Sequence, residues 1–347
     1  MNIIQVVLLA LSVGIGKPGA IPPPYDDTGS GGSDEARVLL VAMGVNHASI
    51  DSLVWEQTNE RWIDDAWELA ESSKRSVQGA CWSTEQKVSL RDENGKLETF
   101  AYIYCFDGQA VSTLNVKSNR GIVREGTNAD TAMWATPSKF LGRYIDGVGH
   151  RKLHDILLDA QDLRVRSGAS EGTKYVSGYV EVGRLSLYLE VCIDILNGFR
   201  ATEINFYDGL LRRPMELIRV ESFQVLNGIS VPSRGTDTLY FVQADDDPRW
   251  SALQKLVVPL AKGRASPDPA DPAVREAYKQ AILAVYGPGG VPATLIGPPH
   301  RMTVTKIVSV NSEIPHTAFK VNPPAGAVVV DFLRLKSSDG NPVSIGP

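Results

Sequence analysis

The chain has 347 residues, 43% of them hydrophobic, with a formal net charge of −5 and a pI near 5.6. A chain of this length can bury a large hydrophobic core, so we expect it to fold without a structural metal or a disulfide bond. The acidic balance and the lack of any basic run exclude the electrostatic surface that phosphate backbones require. Nucleic acid is therefore not an expected partner.

The chain begins with an uncharged apolar run, MNIIQVVLLALSVGI. It is shorter than the roughly 20 residues that a membrane-spanning helix needs, and its length and flanks favour a cleaved signal peptide over an uncleaved anchor. We assign residues 1–20 to a signal peptide and residues 21–33, rich in Pro, Gly, Ser and Asp, to a flexible tether. The protein is thus expected to be periplasmic or secreted.

Residues 34–335 are predicted to form one domain. Its first element is a short amphipathic helix, which should end before Gly44 and is indicated by apolar residues at helical spacing: Ala36, Leu39, Leu40 and Met43. Residues 52–125 then alternate with period two, which predicts an antiparallel meander with turns at Glu93-Asn94-Gly95 and Asp107-Gly108. An acidic helical stretch around Trp67 and Leu69 is expected to interrupt the meander.

One strand of this meander carries the candidate ligand-binding residues. Its alternation places four aromatic residues on one face: Phe100, Tyr102, Tyr104 and Phe106. The opposite face has Ala101, Ile103 and Cys105, so both faces are apolar and both should be covered. The four aromatic side chains either line an apolar cavity, of the kind in which lipids or acyl chains bind, or fill an ordinary core. The residues alone leave both interpretations open.

The second half of the domain repeats the sheet pattern. A helix is predicted at HRKLHDILLDA, followed by the strand GRLSLYLEVCIDIL, whose one face is core and whose other face is wet or half covered, and by a hairpin within residues 221–242. Residues 244–299 are predicted to be an insertion with one good helix, which starts at Asp271-Pro272 and ends before Gly287. Residues 336–347 form a tail.

These elements indicate an α+β fold: a curved antiparallel sheet with helices on one side. The βαβα alternation of a nucleotide-binding parallel sheet is missing from the predicted elements.

Motifs that would carry chemistry are weak. His150 and His154 have the spacing of two metal ligands on a helix, but Arg151 replaces the Glu of the zinc-protease motif, so a solvated histidine face is the preferred interpretation. Cys81, Cys105 and Cys192 have no CxxC spacing; we interpret them as small buried side chains, although one disulfide stays open. Neither a metal nor an organic cofactor is expected, and no residue stands out as a nucleophile or a general base.

The order of elements resembles that of a known family. The segments that carry the resemblance are the leader, the meander ending in YCFDGQAV, the strands NGFRATEINFYDG and VESFQVLNGISVP, and the terminal NSEIPHTAFKVNPPAGAVVVDF. The chain is similar in this order to the periplasmic outer-membrane lipoprotein carrier and the sigma-E regulatory periplasmic protein. The resemblance implies a single exported domain, an unclosed half-barrel lidded by helices, whose apolar cavity holds a lipid or the acyl chains of a lipoprotein. The chain departs from the compact carrier in its greater length, in residues 244–299, and in the lack of an Arg that matches the carrier's acyl-handling residue.

Three functional hypotheses follow. The leading one is an exported, non-enzymatic lipid- or lipoprotein-binding protein, acting as a carrier or an envelope sensor. The alternative is a structural or protein-interaction module with a filled core, which binds an envelope protein through a sheet edge or the inserted helix. An envelope hydrolase using His150, His154 or His316 as a general base is the third.

Overall fold

The computed structural model describes residues 33–91, 96–126, 152–182, 185–211, 213–241, 247–261, 267, 271–292, 294–295 and 299–333. The signal peptide, the tether as far as residue 32, the turn at Glu93-Asn94-Gly95, His150 and the tail of residues 336–347 lie outside these ranges.

The described residues form four α-helices, two 3₁₀ helices and fifteen strands. The α-helices are α1 (Ser33–Ala48), α2 (Leu153–Leu158), α3 (Pro248–Val257) and α4 (Pro272–Tyr286), and the 3₁₀ helices are Val258–Ala261 and His316–Phe319. The strands of the first half are β1 (Ser52–Ile63), β2 (Ala66–Gln78), β3 (Cys81–Arg91), β4 (Leu97–Phe106), β5 (Ala110–Asn115) and β6 (Arg120–Glu125). Those of the second half are β7 (Gln161–Ser167), β8 (Thr173–Val182), β9 (Leu185–Asp194), β10 (Arg200–Asp208), β11 (Pro214–Leu226), β12 (Ile229–Phe241), β13 (Thr294–Leu295), β14 (His300–Val310) and β15 (Val328–Asp331).

All the strands belong to one sheet that does not close. Its order is β15-β6-β5-β4-β3-β2-β1-β14-β12-β11-β10-β9-β8-β7, with the short β13 paired to β12. Each pairing is antiparallel except that of β15 with β6. The late strand β14 lies between β1 and β12 and joins the two meanders into one sheet. The predicted α+β fold, with a curved and unclosed antiparallel sheet, is confirmed.

Helices α1 and α2 pack together over one end of this sheet. The main core contains Ala36, Leu39, Leu40 and Met43 of α1, Leu153, Ile156 and Leu157 of α2, and Leu187, Leu189, Val191 and Ile193 of β9. Helix α1 contacts β7, β8 and β10, and α2 contacts β8. We call the sheet face that carries this core the inner face.

The helix α1 is longer than predicted, because Gly44 does not end it. The helix continues to Ala48, and Gly44 lies against the ring of His154 on α2. Because Gly44 has no side chain, it allows α1 and α2 to approach closely. The residue pattern of one helix does not reveal this role.

The predicted helical stretch around Trp67 and Leu69 is wrong, because both residues lie in strand β2. A two-residue turn precedes them: Asp64 and Asp65 have φ angles of 49° and 63°, and Ile63 pairs with Ala66. Positive φ at both central residues is the signature of a tight hairpin, and Asp tolerates it better than most residues. The acidic residues thus form a turn rather than the first turn of a helix.

The second face of strand β9, predicted to be wet or half covered, is buried at three positions: Tyr188, Glu190 and Cys192 are only 1%, 2% and 5% exposed. Their polar atoms have partners on this outer face. The Tyr188 hydroxyl lies 2.7 Å from Ser177 Oγ, and Arg166 donates to Glu190 at 2.8 Å. Long side chains of neighbouring strands thus cover one another on this face.

The inserted residues form a small cluster of their own. Helix α4 begins as predicted, with the Asp271 carboxylate accepting the backbone N–H of Ala273 at 2.9 Å, and Gly287 follows its last residue. Its buried side chains pack with α3 and with the turn between β10 and β11, through Leu253, Val257, Tyr278, Ala281, Ile282, Leu210 and Leu211. Within the described ranges, no helix is long and apolar enough to cross a membrane.

Candidate ligand-binding face

The four predicted aromatic residues lie on the inner face of strand β4. Leu53, Val77, Trp82 and Phe106 are successive cross-strand partners in β1 to β4, and directly paired residues project to the same side of a sheet. Leu53 belongs to the main core, and Val77 packs against it. Because alternate residues of a strand share a face, Phe100, Tyr102 and Tyr104 project to the same side as Phe106.

The four rings differ in burial. Phe106 is 5% exposed and packs at 6.3 Å, between ring centroids, against Trp82 in a cluster with Val111. Phe100, Tyr102 and Tyr104 are half-buried, and the rings of Tyr102 and Tyr104 stack at a centroid distance of 5.8 Å. Burial raises the pKa of the Tyr104 hydroxyl above its ordinary value, so this residue stays neutral near pH 7. The end of β4 near Phe106 is thus packed core, whereas its middle offers partly exposed aromatic surface.

The other strands of this face contribute polar side chains that the sequence analysis missed. In β1, the Trp55 indole donates to Gln57 at 2.7 Å, and the Gln57 amide donates to Asn59 at 3.0 Å. The three residues lie at alternate positions of one strand. They therefore form a hydrogen-bonded ladder that continues from the core along the inner face.

Strand β2 carries a second ladder of this kind. Arg75 is 3% exposed and donates to Ser73 at 3.1 Å and to Glu71 at 2.9 Å. Burial lowers the pKa of the Arg75 guanidinium, while the Glu71 charge and hydrogen bond raise it. Since Arg75 pairs across the sheet with Trp55 and with Thr84, it faces inward beside the aromatic residues. The sequence signal for these ladders was the presence of polar residues at the inward positions of β1 and β2. These residues indicate that the inner face is not purely apolar.

A small cleft lies where α2 meets β7 and β8. Its volume is about 170 Å³, and it is lined by Ile156, Asp159, Gln161, Tyr179, Val180 and Glu181. Small-molecule sites usually measure about 300–1,000 Å³ and are mostly apolar. This cleft is smaller and more polar, so it is a weaker candidate for a lipid.

Of the histidines considered for catalysis or metal binding, the two that the structure describes, His154 and His316, lie on separate elements. His154 contacts Gly44 and lies 3.3 Å from Asp155, while His316 is exposed on a 3₁₀ helix. Burial lowers the pKa of the His154 imidazole. Among the described residues, no group of three or more His, Cys, Asp or Glu side chains is placed to hold a metal ion.

All three cysteines are free thiols. Cys105 and Cys192 are buried, as predicted, whereas Cys81 is half-buried. Burial raises the pKa of the Cys105 thiol to about 12, so this side chain stays protonated and behaves as a small apolar group.

Comparisons with known proteins find similar solved structures at low sequence identity. No protein-family model and no curated protein matches it. A solved DUF1329 family protein from Desulfovibrio piger is similar, with 10% identity and a TM-score of 0.43 over 84% of this chain and 98% of that chain. A LolA superfamily protein from Nitrosomonas europaea is similar with 10% identity and a TM-score of 0.40, over 82% of this chain and 97% of that one.

A third solved structure is an outer-membrane lipoprotein-sorting protein domain from Vibrio parahaemolyticus, with 8% identity and a TM-score of 0.41 over 82% of this chain and 97% of that chain. The family that the sequence resembles therefore appears again among the solved structures.

Proposed function

We propose that the protein is exported to the periplasm or secreted, and that it binds a lipid or the acyl chains of a lipoprotein on its inner face without acting as an enzyme. The observation that carries the proposal is the middle of strand β4. There, Phe100, Tyr102 and Tyr104 present half-buried rings on the same face as the fully buried core. An acyl chain laid against these rings removes apolar surface from water, which favours binding.

The positions of α1 and α2 also support ligand binding at the three rings. The contacts of α1 and α2 with the sheet fall on β7, β8 and β10, whereas the three rings lie in the other half of the sheet. The uncharged run of residues 1–15 and the resemblance to periplasmic carriers support export and an acyl ligand.

Extraction of the purified, exported protein with organic solvent tests the proposal directly. We expect mass spectrometry to find a stoichiometric lipid or acylated peptide, and the intact mass of the protein to show loss of a leader. An extract that stays empty after incubation with membrane lipids would overturn the ligand-binding function. The inner aromatic residues would then be ordinary core.

A pair of variants on β4 locates the ligand. Tyr102→Trp enlarges a ring on the inner face, while Ile103→Trp makes a comparable change at the next, half-buried position on the outer face. We expect Tyr102→Trp to weaken binding of a fluorescent fatty-acyl probe several-fold more than it changes the unfolding midpoint. Ile103→Trp should leave the affinity unchanged, and equal losses of affinity in both variants would argue against the inner face.

A protein-interaction role is the second candidate, because three large apolar side chains of the insertion are exposed. Leu256, Val258 and Leu283 are 50%, 60% and 41% exposed. Replacement of Leu256 and Leu283 by Ser should abolish capture of an envelope protein by the purified domain. These point changes are a cleaner test than deletion of the insertion, since deletion would also uncover Leu210 and Leu211.

A further inference from the structure

Gln86 occupies the centre of a polar row that crosses the inner face. Its direct cross-strand partners are Ser73 in β2 and Tyr102 in β4, and Gln57 of β1 pairs in turn with Ser73. Gln57, Ser73 and Gln86 are 1%, 7% and 8% exposed, so this row is buried although it is polar. It lies between the row of Tyr104 and the row of Phe100, within the aromatic surface described above.

The side chains of this row in β1 and β2, on one side of Gln86, are hydrogen-bonded along their own strands. Gln57 accepts from Trp55 and donates to Asn59, and Ser73 accepts from Arg75. The side-chain oxygen of Gln86 differs, because it is buried and has no hydrogen-bond partner among the described residues. A buried amide oxygen without a donor is uncommon in folded proteins and is costly, so a group that supplies the donor is stabilising.

We propose that the side-chain oxygen of Gln86 is the polar contact of the binding face, and that it accepts a hydrogen bond from an uncharged hydroxyl or amide N–H of an acyl-chain ligand. This inference rests on the proposed function and narrows its ligand class. Tyr102 and Tyr104 supply the apolar contact on the neighbouring strand, and Gln86 selects the polar end of the molecule. The ligand class is a neutral amphiphile rather than a free fatty acid.

Electrostatics around Gln86 favours a neutral group over an anion. Arg75, the nearby buried cation, already pairs with the Glu71 carboxylate at 2.9 Å, so the pair offers no net charge to a second carboxylate. An ionised carboxylate has no hydrogen to donate and would place its charge against the amide oxygen. A hydroxyl or an amide N–H supplies the missing donor without this repulsion.

The test uses two probes with the same acyl chain and the full exported chain. Monooleoylglycerol carries free hydroxyls, whereas methyl oleate has ester oxygens but no donor. We expect the wild type to bind monooleoylglycerol about tenfold more tightly, as one neutral hydrogen bond in a buried site predicts. In Gln86→Met, the affinity for monooleoylglycerol should fall to that for methyl oleate, and the affinity for methyl oleate should not change.

Lys87→Met is the matched control, because it makes a similar change at the next, exposed residue of β3 on the outer face. It should keep the tenfold preference. If Gln86→Met does not fold, Gln86→Asn is the second variant, because it keeps the amide on a side chain shorter by one methylene group. It should also reduce the preference for monooleoylglycerol over methyl oleate.

The outcomes separate the two proposals. Equal affinity of the wild type for both probes, or a preference that survives in Gln86→Met, overturns the role of Gln86 while acyl binding stands. An equal loss for both probes in Gln86→Met has the same meaning, since it shows no selection of a donor. Failure of the wild type to bind either probe overturns the proposed function and the role of Gln86 with it.

Discussion

Gly44 of α1 and His154 of α2 lie so close that a Cβ atom on Gly44 would be 2.5 Å from Cδ2 of His154. The contact fixes how the two helices cross above the sheet. Gly44→Ala adds about 1 kcal/mol of helix propensity, but overpacking of a tight contact costs about 1–3 kcal/mol. We therefore expect a net loss of stability, measured as a lower midpoint of urea unfolding.

A double-mutant cycle isolates this contact. His154→Ala removes the ring, so Gly44→Ala introduced in that background should stabilise the protein instead of destabilising it. Gly289→Ala is the control, because a Cβ there meets no atom within 4 Å. A change of stability by Gly44→Ala that is the same with and without the His154 ring would disprove the steric explanation.

The same histidine predicts a pH dependence of stability. Burial lowers the pKa of His154 below its ordinary value of 6.5, so the unfolded chain binds a proton at a higher pH than the folded chain does. The stability from neutral His154 is therefore complete above about pH 6.5 and is lost as the pH falls through the folded pKa. The difference in unfolding free energy between wild type and His154→Gln should shrink between pH 7 and pH 5; a difference that stays constant would contradict this linkage.

The buried pair of Arg75 and Glu71 should be far more sensitive than an exposed pair. Glu71→Leu leaves a guanidinium that is 3% exposed without its carboxylate, and breaking such a pair costs about 3–5 kcal/mol. The exposed pair of Arg91 and Glu68, whose side chains are 56% and 37% exposed, is the control. Glu68→Leu should change the unfolding free energy by about 1 kcal/mol or less.

The double variant Arg75→Leu/Glu71→Leu completes this test. It removes both charges from the interior and should be more stable than Glu71→Leu alone. If the double variant is the less stable of the two, hydrogen bonds of Arg75 other than that to Glu71 dominate its contribution.

Arg275 should hold the insertion against the edge of the sheet. Its guanidinium pairs with Asp162 of β7 and lies 4.1 Å from the ring centroid of Tyr179 in β8. We expect Arg275→Ala to raise amide hydrogen exchange in α4 and to cost about 1–2 kcal/mol, as a charge-assisted pair and a cation–π contact predict. Lys279→Ala, one turn later on the same helix, should leave exchange unchanged, and unchanged exchange in both variants would mean that the cluster around Tyr278 holds the insertion alone.

The amino-acid sequence by itself determined the elements whose signals are local. Alternation of residues located strand β4 and placed Phe100, Tyr102, Tyr104 and Phe106 on one shared face, because the side-chain period of a strand is two. The Asp271 cap and Gly287 delimited helix α4 for a similarly local reason, since both residues act on the backbone beside them. The fold class followed from many antiparallel strands and few helices.

Only the tertiary structure decided the features that depend on residues far apart in the chain. It placed β14 beside β1, buried the second face of β9 beside Arg166 and Ser177, and set Gly44 against His154. The polar row through Gln86 arises in the same way, because cross-strand registry brings together residues of strands β1 to β5. A periodic pattern states which side of a strand a residue occupies, whereas burial and hydrogen-bond partners depend on what the rest of the chain places above it.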